Sequence, residues 1–198
     1  MKRRSRPFFT RGDCRVPSTI KVKDTVTIWS IQSEEAFAHL RANQILRAEI
    51  KFSYEHFLAA YQWMSEQLRQ RVPAPSDCRV PLWGWYQFEN EKKKKPDLRQ
   101  AGYVEKGMRA VRLKLELPID RVVLSDFNLW HYVLNQWNIP GHLGEEESPD
   151  SANNWERIFD LDWYQEGITE RKEQKAIQAR FWEIRMDEVV EYTFFKGR

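Results

Sequence analysis

Cysteine is nearly absent from this chain. Cys14 and Cys78 are the only two in 198 residues, and they lie far apart in sequence. Two thiols do not make a disulfide framework or a four-ligand zinc site, and such sparing use fits a reducing compartment, so a cytoplasmic protein is expected. Long apolar runs are missing too. No stretch approaches the roughly 18 residues that span a bilayer, and no apolar segment follows the basic N-terminus, so neither a membrane span nor a secretory signal is expected. The chain also lacks a P-loop, a G-x-G-x-x-G turn, an H-E-x-x-H helix, the kinase motifs and any internal repeat, which disfavours an ATPase, a Rossmann dehydrogenase and a zinc hydrolase. No metal site is expected. Asp160 and Asp162 stand two apart, without the further carboxylate and glycine of a calcium loop, and read as an acidic turn. A Ser-His-Asp triad from Ser125, Asp126 and His131 is also disfavoured, since no nucleophile elbow surrounds Ser125.

Aromatics, by contrast, are plentiful: nine Trp, eleven Phe and seven Tyr. With 41% apolar and 31% charged residues, the chain has the composition of a folded domain. A chain of this length buries about two-thirds of its unfolded surface and needs no staple. The net charge of +3 is unevenly spread. Residues 1–23 carry eight basic side chains, Arg3, Arg4 and Arg6 among them, against Asp13 alone. Together with Pro7, Gly12 and Pro17 this reads as a basic flexible arm over residues 1–24, followed by one domain over 25–198. Such an arm suits phosphate contact, or is simply a solvated tail.

The domain alternates strands and helices. "TVTIWSI" (25–31) has the β-branched, period-two character of a strand, and Ser33 with Glu34 and Glu35 opens a helix. The spacing of Tyr54, Phe57, Tyr61, Met64 and Leu68 predicts a helix over 54–71, closed by Pro73 and Pro75. "VPLWGWYQFE" (80–89) reads as a strand. The clearest strand is 108–118, where Val111, Leu113, Leu115 and Leu117 alternate with Arg112, Lys114 and Glu116. "RVVL" predicts a short strand leading into a helix capped by Ser125 or Asp126. On that helix Phe127, Trp130, Leu134 and Trp137 form the predicted core stripe, and Asn128, His131 and Asn135 a polar edge. A polar loop over 141–154 leads to a short helix from Asn154. Residues 177–186 read as one late strand with a turn at Asp187, and Glu183 is the charged residue in its middle. The fold class is therefore α+β: a single domain with a small, mostly antiparallel sheet packed by about four helices.

The blocks "TIWSIQSEEAF", "ILRA", "YQWMSEQL", "PLWGWYQFE", "KPDLR", "VVLSDFNLWHYVLN", "NWERIFDLDW" and "IQARFWEI" resemble an uncharacterised bacterial and phage-borne family known only as a domain of unknown function. The resemblance runs in order from about Val26 to Val190. It implies no activity. A phage or defence setting would fit a toxin or counter-defence factor. Members usually start near Thr27, so the basic arm is an addition to the shared domain.

Two classes of function follow. One is a nucleotide-dependent transferase with a distant likeness to ADP-ribosyltransferases, using NAD. There Glu183 on the late strand would stabilise an oxocarbenium-like charge, and Trp29 and Gln32 on the early strand would face the nicotinamide. Arg99 would contact an anion, His131 would bond or transfer a proton, and Asp126 and Asn135 would stand at the rim of the same pocket. The early strand lacks the Arg or His usual in such enzymes. The other class is a binding module for nucleic acid or a protein, without catalysis. Lys92, Lys93, Lys94 and Lys95, flanked by Trp83, Trp85 and Tyr86, would grip a phosphate backbone, aided by the arm. The bland counterpart is that the tryptophans are core and the lysines merely blunt a hairpin tip.

Overall fold

The computed structural model describes residues 24–49, 55–144 and 154–198. The basic arm, including Arg3, Arg4 and Arg6, and the helix position Tyr54 lie outside the described residues. Alternation of apolar and polar residues is clearest in the longest pair of strands of the sheet. Strand β1 (Thr25–Ser33) pairs antiparallel with β4 (Arg109–Pro118), from Thr25 opposite Pro118 to Ser33 opposite Ala110. With β3 (Leu82–Gln87), β5 (Val123–Asp126), β6 (Ile177–Phe181) and β8 (Val189–Lys196) they form a six-stranded sheet in the order β5-β6-β3-β1-β4-β8. Every pairing in it is antiparallel. β3 approaches β1 closely at Gly84, where a Cβ would collide with the Ile28 side chain.

The two faces of this sheet differ. Side chains alternate along a strand and directly opposed residues share a face. Val26 and Ile28 thus lie with Leu113, Leu115 and Leu117 on one face, in the main core. Helix α1 (Glu34–Asn43) covers that face with Phe37 and Leu40. Its N-cap is Ser33, whose hydroxyl accepts from the Ala36 amide at 3.0 Å. The opposite face carries Trp29, Trp85 and Lys114 in one row, and Trp83 and Arg180 in another. Part of it is covered by α2 (Leu58–Arg71) and α3 (Phe127–Leu134), which bring Ala60, Met64, Leu129, Trp130 and Val133 into a second, aromatic-rich cluster. Three α-helices stand among the described residues where about four were expected. The predicted helix at 154 is a 3-10 turn over Trp155–Phe159, and Glu55–Phe57 is a 3-10 turn leading into α2.

Two further expectations need correction. Trp137, placed on the buried stripe, is 55% exposed. The helix stops at Leu134, Gln136 takes a positive φ of 59°, and the 3.6-residue period no longer governs position 137. Residues 177–186 are two strands rather than one. Trp182 turns its ring into a third cluster with Leu68, Val72 and Val123, and its indole donates to the Val72 carbonyl at 3.0 Å. β7 (Glu183–Arg185) then leaves the main sheet and pairs with β2 (Ile45–Arg47), a strand the sequence reading did not anticipate. No helix among the described residues is long and apolar enough to cross a membrane.

Candidate functional site

A polar cleft sits on the aromatic face of the sheet, where α2 and α3 do not reach. The segment after β3 folds back across β1 and makes a cleft of about 580 Å³ lined by Trp29, Glu89, Glu91, Lys92, Lys93, Lys94, Lys95, Asp97 and Arg99. Trp29 is 8% exposed, so its ring is a floor rather than a protruding platform. Lys95 Nζ lies 4.6 Å from its centroid and the Arg112 guanidinium 5.3 Å. Arg112 holds the segment from beneath, donating to the Pro96 carbonyl at 2.8 Å. Burial pushes its guanidinium below the ordinary value.

Some of the basic groups are already spoken for. Lys93 pairs with Glu89 at 2.7 Å, Lys95 with Glu191 at 3.1 Å, and Arg99 with Asp97 at 2.6 Å. The side-chain hydrogen bond from Arg99, with its backbone amide, draws the Asp97 carboxyl down to about 2. Lys92 and Lys94 have no ion-pair partner among the described residues, and Lys94 lies over the Tyr86 ring at 5.3 Å. Alongside runs a strip of ring contacts: His131 to Phe127 at 4.7 Å, Phe127 to Trp85 at 4.8 Å, Trp85 to Phe88 at 5.1 Å and Phe88 to Tyr103 at 5.7 Å. Burial and neighbouring acids push the Tyr103 phenol up to about 12.

The remaining predicted residues do not converge on this cleft. Glu183 sits on β7 and is almost fully buried. Its carboxylate accepts from Arg47 at 2.9 Å and Arg185 at 2.8 Å, with Arg121 at 3.6 Å. Arg121 also pairs with Glu188, and Arg47 with Asp77 at 2.7 Å. Burial alone would raise the Glu183 carboxyl, but the hydrogen bonds from Arg185 and Arg47 outweigh it and hold it below its ordinary value. Asp126, expected at a pocket rim, is fully enclosed. It accepts from the Asn128 and Leu129 amides as the N-cap of α3, from the Thr169 hydroxyl at 2.6 Å, and pairs with an equally enclosed Lys175 at 3.0 Å. His131 is exposed, its Nδ1 3.0 Å from the Phe127 carbonyl, and Asn135 turns its amide back to the His131 carbonyl at 2.7 Å. Gln32 donates to Ser30 Oγ at 2.8 Å. Of the predicted site residues, Trp29, Arg99 and Lys92 to Lys95 line one cleft, whereas Glu183, His131, Asp126, Asn135 and Gln32 do not. No group of three His, Cys, Asp or Glu side chains among the described residues could hold a metal ion.

The sequence reading passed over Arg180. It lies opposite Trp83 on β3 and Val123 on β5, and it is fully buried. Its guanidinium stacks 3.8 Å from the Trp83 centroid and lies 5.4 Å from that of Trp130. These rings and Tyr61 contact one another at 5.4 to 6.3 Å. No acceptor among the described residues reaches Nε, Nη1 or Nη2. Burial pushes the group well below its ordinary value. Arginine nonetheless keeps its proton in proteins, so the cost of burial stands as a demand for a counter-charge. A well-placed desolvated ring returns about 2 kcal/mol. Enclosing an ion costs several kcal/mol, and each unmade buried hydrogen bond about 1–3 kcal/mol more. The rings alone do not balance that. The signal in the sequence was the same as for Glu183, a charged residue inside the apolar run "IQARFWEI".

The family model described as a domain of unknown function, DUF3841, matches residues 27–149. No curated protein and no solved structure matches the chain.

Proposed function

This chain belongs to the DUF3841 family, and from its geometry we propose that it is a binding module that holds single-stranded nucleic acid along the basic cleft over Trp29. The observation that carries this reading is the convergence of Lys92 to Lys95 and Arg99 on one cleft beside half-buried aromatic rings. Lys92 and Lys94 are placed for phosphates. Trp85, Phe88 and Tyr103 offer rings on which bases stack, each worth about 1–3 kcal/mol in such proteins. Basic charge with aromatic faces suits single strands of any sequence, since every base has a π-face. A transferase reading would need Glu183 and an early-strand aromatic to face one pocket. Glu183 is instead engaged by three guanidinium groups on β7's side of the molecule, and Trp29 is covered by Lys95 and Arg112, so the module is favoured.

The test is fluorescence anisotropy with a labelled single-stranded oligonucleotide at several salt concentrations. With the two phosphate contacts of Lys92 and Lys94, affinity should fall roughly 7-fold between about 50 and about 200 mM salt. Lys92→Ala with Lys94→Ala should weaken binding and reduce the magnitude of the log–log salt slope by about 1.4. Absence of binding at low salt, or a double variant with the slope of the parent, would overturn the reading.

A further inference from the structure

We propose that Arg180 is the receptor for a small oxyanion, the carboxylate or phosphate group of a ligand held between the sheet and its helix layer. The geometry is that of a prepared anion site. The guanidinium carbon lies 3.8 Å over the centre of the Trp83 ring, which offers its nitrogens no oxygen acceptor. All three nitrogens lack an acceptor among the described residues. A guanidinium edge matches the spacing of two oxygens on one carboxylate or phosphate and bonds them in parallel.

Ser125 Oγ and Gln178 Oε1 are also buried without a hydrogen-bond partner. Ser125 lies opposite Gln178, and Val123 opposite Arg180, so all three polar residues share one face of neighbouring strands. Arg180 and Ser125 are diagonal neighbours on that face. The serine hydroxyl adds a donor, whereas the partnerless Gln178 atom is an amide oxygen, which only accepts and leaves the anion to Arg180 and Ser125. Five of the seven partnerless buried polar atoms among the described residues belong to these three side chains, so the deficit is concentrated on one face of β5 and β6. Buried polar groups in folded proteins are otherwise nearly all bonded. Arg180 and Ser125 are both fully enclosed, which restricts the ligand group to a small one.

The full chain is titrated with sodium phosphate and, separately, with sodium acetate, each exchanged against sodium chloride at fixed ionic strength. Melting temperature and tryptophan fluorescence are read together, since Trp83 and Trp130 flank the guanidinium. At about a hundredfold over Kd the melting temperature should rise by roughly 5–10 °C, with a fluorescence change of the same midpoint. The arm that responds at the lower concentration tells a phosphate-bearing ligand from a carboxylate-bearing one. Arg180→Met keeps an apolar stem of similar reach and should lose the saturable response in both readouts. Should that variant not fold, Ser125→Ala retains the guanidinium and should shift the midpoint several-fold upward. Flat titrations of the parent in both arms, or the same unsaturable drift in parent and Arg180→Met, would overturn the assignment. Arg180 does not line the basic cleft, so oligonucleotide binding in Arg180→Met should equal that of the parent, which keeps the two sites separable.

Discussion

The Asp126 carboxylate does two jobs in one position. It caps α3 and it neutralises Lys175, and neither side chain is exposed. Asn is nearly as good a cap as Asp, so Asp126→Asn separates the two jobs. The variant should keep the helix but leave the Lys175 ammonium facing only the Trp163 carbonyl at 2.9 Å. Removing one partner of an enclosed pair costs about 3 kcal/mol, whereas replacing both with apolar groups is often close to neutral. Urea unfolding should therefore show a loss of that size for Asp126→Asn and recovery of most of it when Lys175→Met is added. Equal losses in single and double variants would mean that the pair contributes little. At this scale the cap was legible, because a Ser-Asp pair ahead of an apolar-periodic run is a local signal. Its partner was not, because Lys175 comes from a distant turn and nothing in the local pattern links the two positions. Trp130 and Trp137 differ for a related reason. Both fit one helical stripe, yet only Trp130 is buried, since the helix ends between them.

Among the elements, the small β2–β7 sheet depends on Glu183. The carboxyl is held below its ordinary value because the hydrogen bonds from Arg185 and Arg47 outweigh burial. The folded state thus binds fewer protons at this position than the unfolded chain, whose glutamate titrates near pH 4.3. The stability it contributes is present above that pH and is lost as pH falls through the folded value. Melting temperature followed from about pH 6 to about pH 3 should fall more steeply for the parent than for Glu183→Gln, whose amide does not titrate. At neutral pH the variant should melt lower, since Arg47 and Arg121 lose their shared counter-charge. Parallel curves for the two proteins would show that Glu183 is not pinned in this way. The long alternating strands β1 and β4 and the periodic helix α2 were legible, since hydrophobic period alone identifies each. The three-residue strands β2 and β7 were not. They are too short to show a period, and they exist because each supplies the other's backbone partners.

At the scale of the whole molecule, charge is unevenly spread along the chain. Residues 1–23 hold eight basic side chains against one acid. If they add phosphate contacts to those of Lys92 and Lys94, a chain lacking residues 1–23 should bind the oligonucleotide more weakly and with a shallower salt slope. Identical slopes for the two chains would confine nucleic-acid contact to the domain. The sequence by itself determined the α+β class, the main antiparallel strands, the helix caps and the family, because each rests on patterns read within a few turns or a few strand residues. It also marked Glu183 as an unusual charge. Only the tertiary structure decided what such charges meet. Strand register set Arg180 against Trp83, and the return of the 89–99 segment over β1 brought Lys95 over Trp29 and four lysines to one cleft. The β7 crossover surrounded Glu183 with arginines. Period and capping are properties of neighbours along the chain, whereas a buried charge is defined by whichever groups distant segments place around it.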